Sequence, residues 1–137
     1  MNYERFNKSH YDFLKGVWTK YGWKACPLSF LPKIGYVAFE DKFIGAMFMY
    51  AHGGSVSMVD WAVANPEATK EQRAEAMRGC FDRLVELARG MDCTFIYSVT
   101  AVPAYMNLLK SFGMKEAERN MTSFVMSLNN EDMSFLD

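Results

Sequence analysis

The first segment of the chain has the spacing of an amphipathic helix. Between residues 3 and 23, apolar and aromatic side chains recur every three or four positions, which places them on one helical face. Gly22 supplies a stop signal, and the two prolines within 26–33 predict a loop after it. The residues that form the predicted face are Phe6, His10, Leu14, Val17 and Tyr21.

Three β-rich runs follow the loop. Residues 34–40 and 43–51 are separated by only two residues, which predicts a hairpin. A turn at Gly53-Gly54 leads into the third run, residues 55–63. Because the connections are this short, we expect an antiparallel meander.

The hydrophobic period then changes to that of a helix. Thr69 and Gln72 have the spacing of a capping box and predict its start, and Gly90 predicts its end. Residues 94–99 are predicted as a fourth strand. A strand, a helix and a further strand form a crossover, so this strand should run parallel to the third.

The remaining chain predicts a helix and a strand. Pro103 suits the first position of a short helix, and Gly113 suits its C-terminal cap. Residues 121–128 alternate with period two and are predicted as the last strand, and about 129–137 as a loose acidic tail. The whole order predicts a single-domain α/β protein with a mixed sheet and helices on both faces.

Composition narrows the classes of function. The chain has 137 residues, of which 50% are hydrophobic and 23% charged, as expected for one folded domain. A net charge of −1 gives no basic field for nucleic acid, and no apolar run has the length of a membrane span. The first residues lack the apolar stretch of a secretory signal. Three cysteines without a CxxC pair and two distant histidines predict a cytoplasmic protein without a metal site.

Four stretches, taken in order, resemble the GCN5-related N-acetyltransferase (GNAT) family over roughly residues 30–128. They are LPKIGYVAFEDKFIGAMFMY, SMVDWAVANPEA, FDRLVELARGMDCTFIYSVT and VPAYMNLLKSFGMKE. They look like the second to fifth strands of that family, its long helix and the segment that follows. The order and spacing of these stretches are typical of small bacterial and phage-borne members of the family. The resemblance implies a GNAT-like acyl-CoA N-acyltransferase fold, in which the fourth strand splays from the fifth and acyl-CoA lies in the gap.

The resemblance also implies where acyl-CoA would be held. Backbone groups of Trp61, Ala62 and Val63 would pair with the pantetheine arm. The phosphate loop of the family, Gln/Arg-x-x-Gly-x-Gly/Ala, falls on residues 72–77, where Gln72 matches but the two glycines are absent. Those glycines let a phosphate approach the backbone closely, so the departure is substantial.

Two explanations of the missing glycines remain open. The helix can start earlier, so that its first turn binds the pyrophosphate, or the site can be lost while the fold is retained. We favour the first, because free N–H groups and the helix dipole depend on a helix start and not on glycine. The candidate phosphate contacts are Thr69, Gln72, Arg73 and Ala74.

Asp60 is the candidate catalytic base. Strand alternation places it on one face with Val56, Met58 and Ala62, and a carboxylate among apolar residues is costly unless it is paired or hydrated. Desolvation would raise its pKa toward a value useful for taking a proton from an amine, directly or through water. The alternative is a hydrogen-bonding role toward a turn or a neighbouring strand. Trp61 is predicted to point to the opposite face, in packing.

Tyr105 is the second candidate for catalysis. The resemblance implies a tyrosine in this short helix that protonates the departing CoA thiolate. The usual position, four residues before Gly113, is Leu109 here, so Tyr105 is a substitute one helical turn earlier. Packing as part of a pocket wall is the alternative.

The other polar candidates each have two interpretations. Arg73 either clamps a phosphate or pairs with Glu67 or Glu71 on a solvated helix face. Ser98 and Thr100 either bond to pantetheine or cap the following helix.

The function implied by the resemblance is direct transfer of an acetyl (acyl) group from acetyl-CoA to a primary amine. The acceptor is a small molecule or a protein. The alternative is a non-catalytic structural or protein-binding component with the same fold, for example in a phage virion. Neither a nucleic-acid partner nor a membrane is expected, and a homodimer is an open possibility.

Overall fold

The computed structural model describes residues 1–136, which contain a five-stranded mixed sheet and three α-helices. Strands follow one another across the sheet in the order of the chain. The strands are β1 (Asn2–Arg5), β2 (Ile34–Phe39), β3 (Phe43–Ala51), β4 (Val56–Ala64) and β5 (Phe95–Tyr97). The helices are α1 (Tyr11–Lys20), α2 (Lys70–Gly90) and α3 (Pro103–Ser111).

The chain falls into two compact units. The first is Met1–Val99 and contains the whole sheet with α1 and α2. The second starts at Thr100 and contains α3. The single-domain organisation stays a prediction.

The sheet has the predicted mixed topology. β1 to β4 pair antiparallel in succession, and β4 pairs with β5 in parallel, as the crossover through α2 requires. The two-residue hairpin between β2 and β3 is confirmed, and Asp41 in its turn has a φ of 63°. β5 is shorter than the predicted 94–99, because its ladder with β4 covers only three residues.

The N-terminal segment differs from its prediction. A helix over 3–23 was expected, but residues 2–5 form β1 along the outer edge of β2, and α1 begins only at Tyr11. Asn7 caps a short 3-10 turn, Lys8–His10, in front of α1. The helical spacing of Phe6 and His10 is real, but pairing with the sheet overrides it for the first residues.

Helices cover both faces of the sheet in the first unit. Leu14 and Val17 of α1 pack into a core with Ala46 of β3. The adjacent Gly45 points to the opposite face, where its missing side chain leaves room for the Met77 methyl of α2. A Cβ on Gly45 would lie 2.7 Å from that methyl, so α2 approaches β3 closely because of the glycine.

Helix α3 in the second unit has the predicted boundaries. Pro103 occupies its first turn, Leu109 is buried, and Gly113 follows it with a φ of 94°.

The predicted strand 121–128 was wrong. These residues are all described and carry no strand; Phe124 is 91% exposed. Alternation supplies an apolar face, but a strand also needs a neighbour for its backbone hydrogen bonds, which this segment lacks. A 3-10 turn, Ser134–Leu136, lies in the predicted loose tail, whose last residue is outside the described part.

Candidate active site

The edge of β4 on the β5 side is left open where the short ladder with β5 ends, and we call this open edge the cleft. The parallel ladder joins Val56–Met58 to Phe95–Tyr97 and then ends. β4 continues to Ala64, so its last six residues have no strand partner on that side within the described chain. The early end of the ladder agrees with the predicted splay of the two strands, and the splay itself stays a prediction.

A β-bulge interrupts β4 within this unpaired stretch. Between the register pairs Phe48–Asp60 and Ala46–Val63, β4 contains one more residue than β3. Trp61 has a φ of 58°, in the left-handed region that bulky residues rarely adopt. Bulges re-aim the side chains around them and are frequent next to active sites.

The bulge corrects the predicted arrangement of faces. Phe48, the partner of Asp60, belongs to the core on the α1 side of the sheet, and Trp61 packs against the same core. Asp60 and Trp61 therefore lie on one face, whereas simple alternation placed them on opposite faces. Ala62 no longer shares the face of Asp60, because the extra residue reverses the alternation.

The Asp60 carboxylate is half-buried and has one hydrogen-bond donor. Its Oδ1 accepts the backbone N–H of Trp61 at 2.7 Å. Burial raises the pKa of the Asp60 carboxyl, and the Trp61 hydrogen bond opposes part of that effect. A carboxylate with a raised pKa beside an open strand edge can act as a general base.

Backbone orientation decides which residues of β4 offer hydrogen bonds to the cleft. Asn65 donates its backbone N–H to Ile44 of β3, so the alternate residue Val63 also faces β3. Ala62 and Ala64 then direct their N–H and C=O groups into the cleft. Of the predicted pantetheine contacts, Ala62 fits this role, while the Val63 backbone belongs to the β3–β4 ladder.

The far end of this edge is already occupied by a side chain. Tyr21 donates its hydroxyl to the carbonyl of Ala64 at 2.7 Å, and its ring stacks on Trp23 at 4.4 Å between centroids. The Trp61 N–H is taken by Asp60. The Ala62 backbone is thus the part of the strand edge that remains for a ligand.

The start of α2 confirms the predicted capping box. Thr69 Oγ1 accepts the Gln72 N–H at 3.0 Å, and Gln72 Oε1 accepts the Thr69 N–H at 2.9 Å. The N–H groups of Lys70 and Glu71 remain without a partner in residues 1–136. Ala74 was predicted as a phosphate contact, but its N–H lies beyond the first turn and belongs to the helical hydrogen bonds.

Arg73 folds back onto the connection between β4 and α2. Its Nη1 donates to the carbonyls of Ala68 at 2.7 Å and Pro66 at 3.3 Å. Arg73 forms no ion pair with Glu67 or Glu71 in residues 1–136, so that expected alternative is wrong; Glu67 pairs with Lys20 at 2.8 Å instead. Arg73 braces the backbone directly in front of the helix.

The positions of the missing glycines lie inside α2. Glu75 and Met77 are helical, and Met77 is buried against Gly45. Tyr3 of β1 donates its hydroxyl to the carbonyl of Glu75 at 2.9 Å. A helical segment fixed in this way has no free N–H for a phosphate, so any anion site lies at the first turn.

The remaining candidates are placed as follows. Ser98 comes directly after β5, with its Oγ shielded from solvent. Thr100 Oγ1 accepts the Val102 N–H at 3.0 Å in front of α3, which supports the capping interpretation. Tyr105 lies on α3, in the second unit, with a shielded hydroxyl.

Sequence reasoning missed Tyr50. Trp61 Nε1 donates to the Tyr50 hydroxyl at 2.8 Å, and the His52 ring lies parallel to the Tyr50 ring at 6.3 Å. Tyr50 shares the face of Phe48 on β3, and Phe48 is opposite Asp60. Strand alternation and the hairpin register place Tyr50 on the face of Asp60, but its hydrogen bond with Trp61 depends on the bulge, which the sequence does not indicate.

Two possible kinds of site receive no support from the described part of the chain. In residues 1–136, no three His, Cys, Asp or Glu side chains are grouped so that they could hold a metal ion. No helix described is both long and apolar enough to cross a membrane.

Comparisons with known proteins identify the fold. An acetyltransferase from Trypanosoma brucei superimposes with a TM-score of 0.67 and 14% identity, over 90% of this chain and 99% of that one. An aminoglycoside N-acetyltransferase in complex with CoA gives 0.67 and 14%, over 92% and 100%. A Mycobacterium tuberculosis protein in complex with CoA gives 0.70 and 15%, over 90% and 76%. No family model and no curated protein matches the sequence.

Proposed function

We propose that this chain, which has the fold of these acetyltransferases, transfers an acetyl group from acetyl-CoA to a primary amine. The observation that supports the proposal is the bulge in the open part of β4, next to which both Asp60 and the cleft-facing backbone of Ala62 lie. The same fold in proteins crystallised with CoA supports acetyl-CoA as the donor.

The proposed reaction is a direct transfer. Asp60 takes a proton from the acceptor ammonium, and the neutral amine attacks the thioester carbonyl. The Ala62 N–H stabilises the negative charge that develops on the carbonyl oxygen. As the C–S bond breaks, the nitrogen gives up its second proton to complete the amide, and the departing thiolate takes up one proton, so that the products are the amide, the CoA thiol and the proton on Asp60. The family resemblance assigns that proton to Tyr105, and this stays a prediction.

No protein nucleophile is required in this scheme. Cys26 and Cys80 are buried, and burial raises their thiol pKa values to about 11 and about 12. Thiols with such values are poor nucleophiles near neutral pH. Their packing role agrees with a direct transfer between two bound substrates, which gains its rate from positioning.

The pyrophosphate of CoA is proposed to bind at the first turn of α2. The free N–H groups of Lys70 and Glu71 and the positive end of the helix dipole favour an anion there. Arg73 is fixed beside them by the carbonyls of Pro66 and Ala68, through Nη1 alone. Its other N–H groups are left to reach a phosphate oxygen.

Native mass spectrometry and an acetylation assay together test the proposal. We expect the purified protein to retain CoA or to bind added acetyl-CoA, and to release free thiol faster when amines are added. Absence of both results would favour the alternative, a non-catalytic component with the same fold.

A further inference from the structure

The surroundings of Asp60 on the α1 side of the sheet are aromatic. We name Phe30, Tyr50, His52 and Trp61 the aromatic patch. Phe30 meets Trp61 edge-on at 5.9 Å between centroids, and Trp61 is bonded through Nε1 to the Tyr50 hydroxyl. Burial raises the pKa of the Tyr50 phenol, the Trp61 hydrogen bond partly opposes this, and the negative charge of nearby Asp60 adds to the rise. The carboxylate and the patch are thus neighbours on one face.

Asp60 has no cationic partner within residues 1–136. Its one hydrogen bond comes from the Trp61 backbone, and no Lys or Arg pairs with it. Other carboxylates of the chain do have such partners, for example Glu67 with Lys20 and Asp82 with Arg78. A partly desolvated carboxylate without a counter-charge favours a cation from outside. The faces of aromatic rings attract the same cation.

We propose that the acceptor is a primary amine on a flat apolar body, without a carboxylate beside the amine. Its ammonium group binds Asp60, and its body packs on the aromatic patch. This inference rests on the proposed function and adds the class of acceptor. A free amino acid would bring its own carboxylate toward Asp60, with which no Lys or Arg of residues 1–136 pairs, and like charges would repel.

Three amines of matched structure test the proposal with the full-length protein and saturating acetyl-CoA. 2-Phenylethylamine has both required features, phenylalanine adds a carboxylate, and n-propylamine lacks the ring. We expect kcat/KM for 2-phenylethylamine to exceed that for each of the other two by at least about tenfold. If phenylalanine reacts as well as 2-phenylethylamine, the proposed exclusion of a neighbouring carboxylate is wrong. If propylamine reacts as well, the proposed requirement for an apolar body is wrong.

Substitution of the patch provides a second test. Trp61→Leu should raise KM for 2-phenylethylamine by a several-fold larger factor than it raises KM for propylamine. Phe13→Leu is the matched control, since Phe13 stacks on Phe43 away from the patch. Because Trp61 lies in the bulge, Phe30→Leu is measured as well. If Trp61→Leu and Phe30→Leu change KM for both amines by the same factor, the inference is contradicted.

Binding of the acetyl donor, acetyl-CoA, distinguishes a failure of this inference from a failure of the proposed function. Acetyl-CoA should raise the melting temperature of the protein whichever amine is accepted. If it does so and 2-phenylethylamine is still not acetylated preferentially, the acceptor class is wrong and the proposed function stands. If acetyl-CoA produces no rise, the proposed function fails and the acceptor class fails with it.

Discussion

The two ends of the cleft beside β4 differ in how closely they follow the arrangement that the family resemblance implies. At the bulge, Asp60 and the Ala62 backbone adjoin the open strand edge, where we propose that the amine and the thioester meet. At the start of α2, a capped helix replaces the expected glycine loop. The proposed reaction site at the bulge, which we call the chemical end, depends on one side chain and one backbone distortion, whereas a phosphate needs only free N–H groups and positive charge. The phosphate site can therefore change in sequence while the chemical end is kept.

Asp60→Asn should produce the largest effect, and it acts on the chemical end alone. Asparagine keeps an acceptor for the Trp61 N–H but cannot take a proton from the amine. We expect turnover to fall by about 100-fold or more, with acetyl-CoA affinity nearly unchanged. Steady-state kinetics with a titration of acetyl-CoA provide both quantities.

The matched control for this variant is Asp41→Asn in the exposed β2–β3 turn. Its φ of 63° suits asparagine, so the fold should be unaffected. Normal turnover in Asp60→Asn would return Asp60 to a structural role. A loss of turnover in both variants would point to a general effect of lost charge.

Arg73→Ala tests the phosphate end. We expect CoA binding to weaken by about 1–3 kcal/mol, the range for a charge-assisted hydrogen bond. Turnover at saturating acetyl-CoA should stay nearly intact, because the contact is equal in ground and transition states. Binding of pantetheine, which has no pyrophosphate, should not change.

The control for Arg73 is Arg78→Ala, which removes an exposed arginine paired with Asp82 on the same helix. Arg73 also braces the carbonyls of Pro66 and Ala68, so circular dichroism must first show that the variant is folded. Equal weakening for CoA and pantetheine would mean that the bracing role, and not a phosphate contact, explains the loss.

Glu75→Gly restores one glycine of the expected loop. Since residue 75 lies inside α2, we expect a loss of about 1 kcal/mol in the free energy of unfolding and no gain in CoA affinity. Glu75→Ala separates the loss of charge from the loss of helix propensity. Tighter CoA binding in the glycine variant alone would show that a loop, and not a helix start, suits the phosphate.

The pH dependence of stability gives the smallest signal. Because burial raises the pKa of Asp60 above its ordinary 3.8, ionisation destabilises the folded state. That destabilisation is absent below pH 3.8 and grows as the pH rises through the raised pKa. Asp60→Asn removes it, so the variant should gain stability relative to the wild type as the pH increases.

Urea unfolding from about pH 4 to about pH 7 measures this difference. Tyr50 and Cys26 stay neutral in this range, since burial raises both pKa values. Replacing His52 by Gln in both proteins removes the imidazole that stacks on Tyr50. A stability difference that is constant with pH would mean that Asp60 does not titrate in this environment.

The sequence predicts the sheet and the long helix well, because their signals are local. The hairpin turn, the capping box at Thr69 and the crossover to β5 each depend on neighbouring residues. β1 could not be predicted in this way, since its four residues become a strand only by pairing with β2. Residues 121–128 show the opposite: they have the alternating pattern of a strand, but they form none because no neighbouring strand pairs with them in residues 1–136.

The candidate site was predicted in part, for a similar reason. Asp60 is conspicuous as a carboxylate in an apolar strand. The face of Trp61, and with it the hydrogen bond to Tyr50, depends on the bulge, which is a property of the paired strands and not of β4 alone. The partners of Arg73 are backbone carbonyls, whose positions no residue pattern encodes.

Thermal unfolding in the presence of acetyl-CoA tests the central claim, that the cleft beside β4 binds an acyl-CoA, most directly. A ligand that binds only the folded state raises the melting temperature progressively with its concentration. We predict such a rise for acetyl-CoA and CoA, and a smaller one for pantetheine. An unchanged melting temperature at millimolar acetyl-CoA would contradict the account.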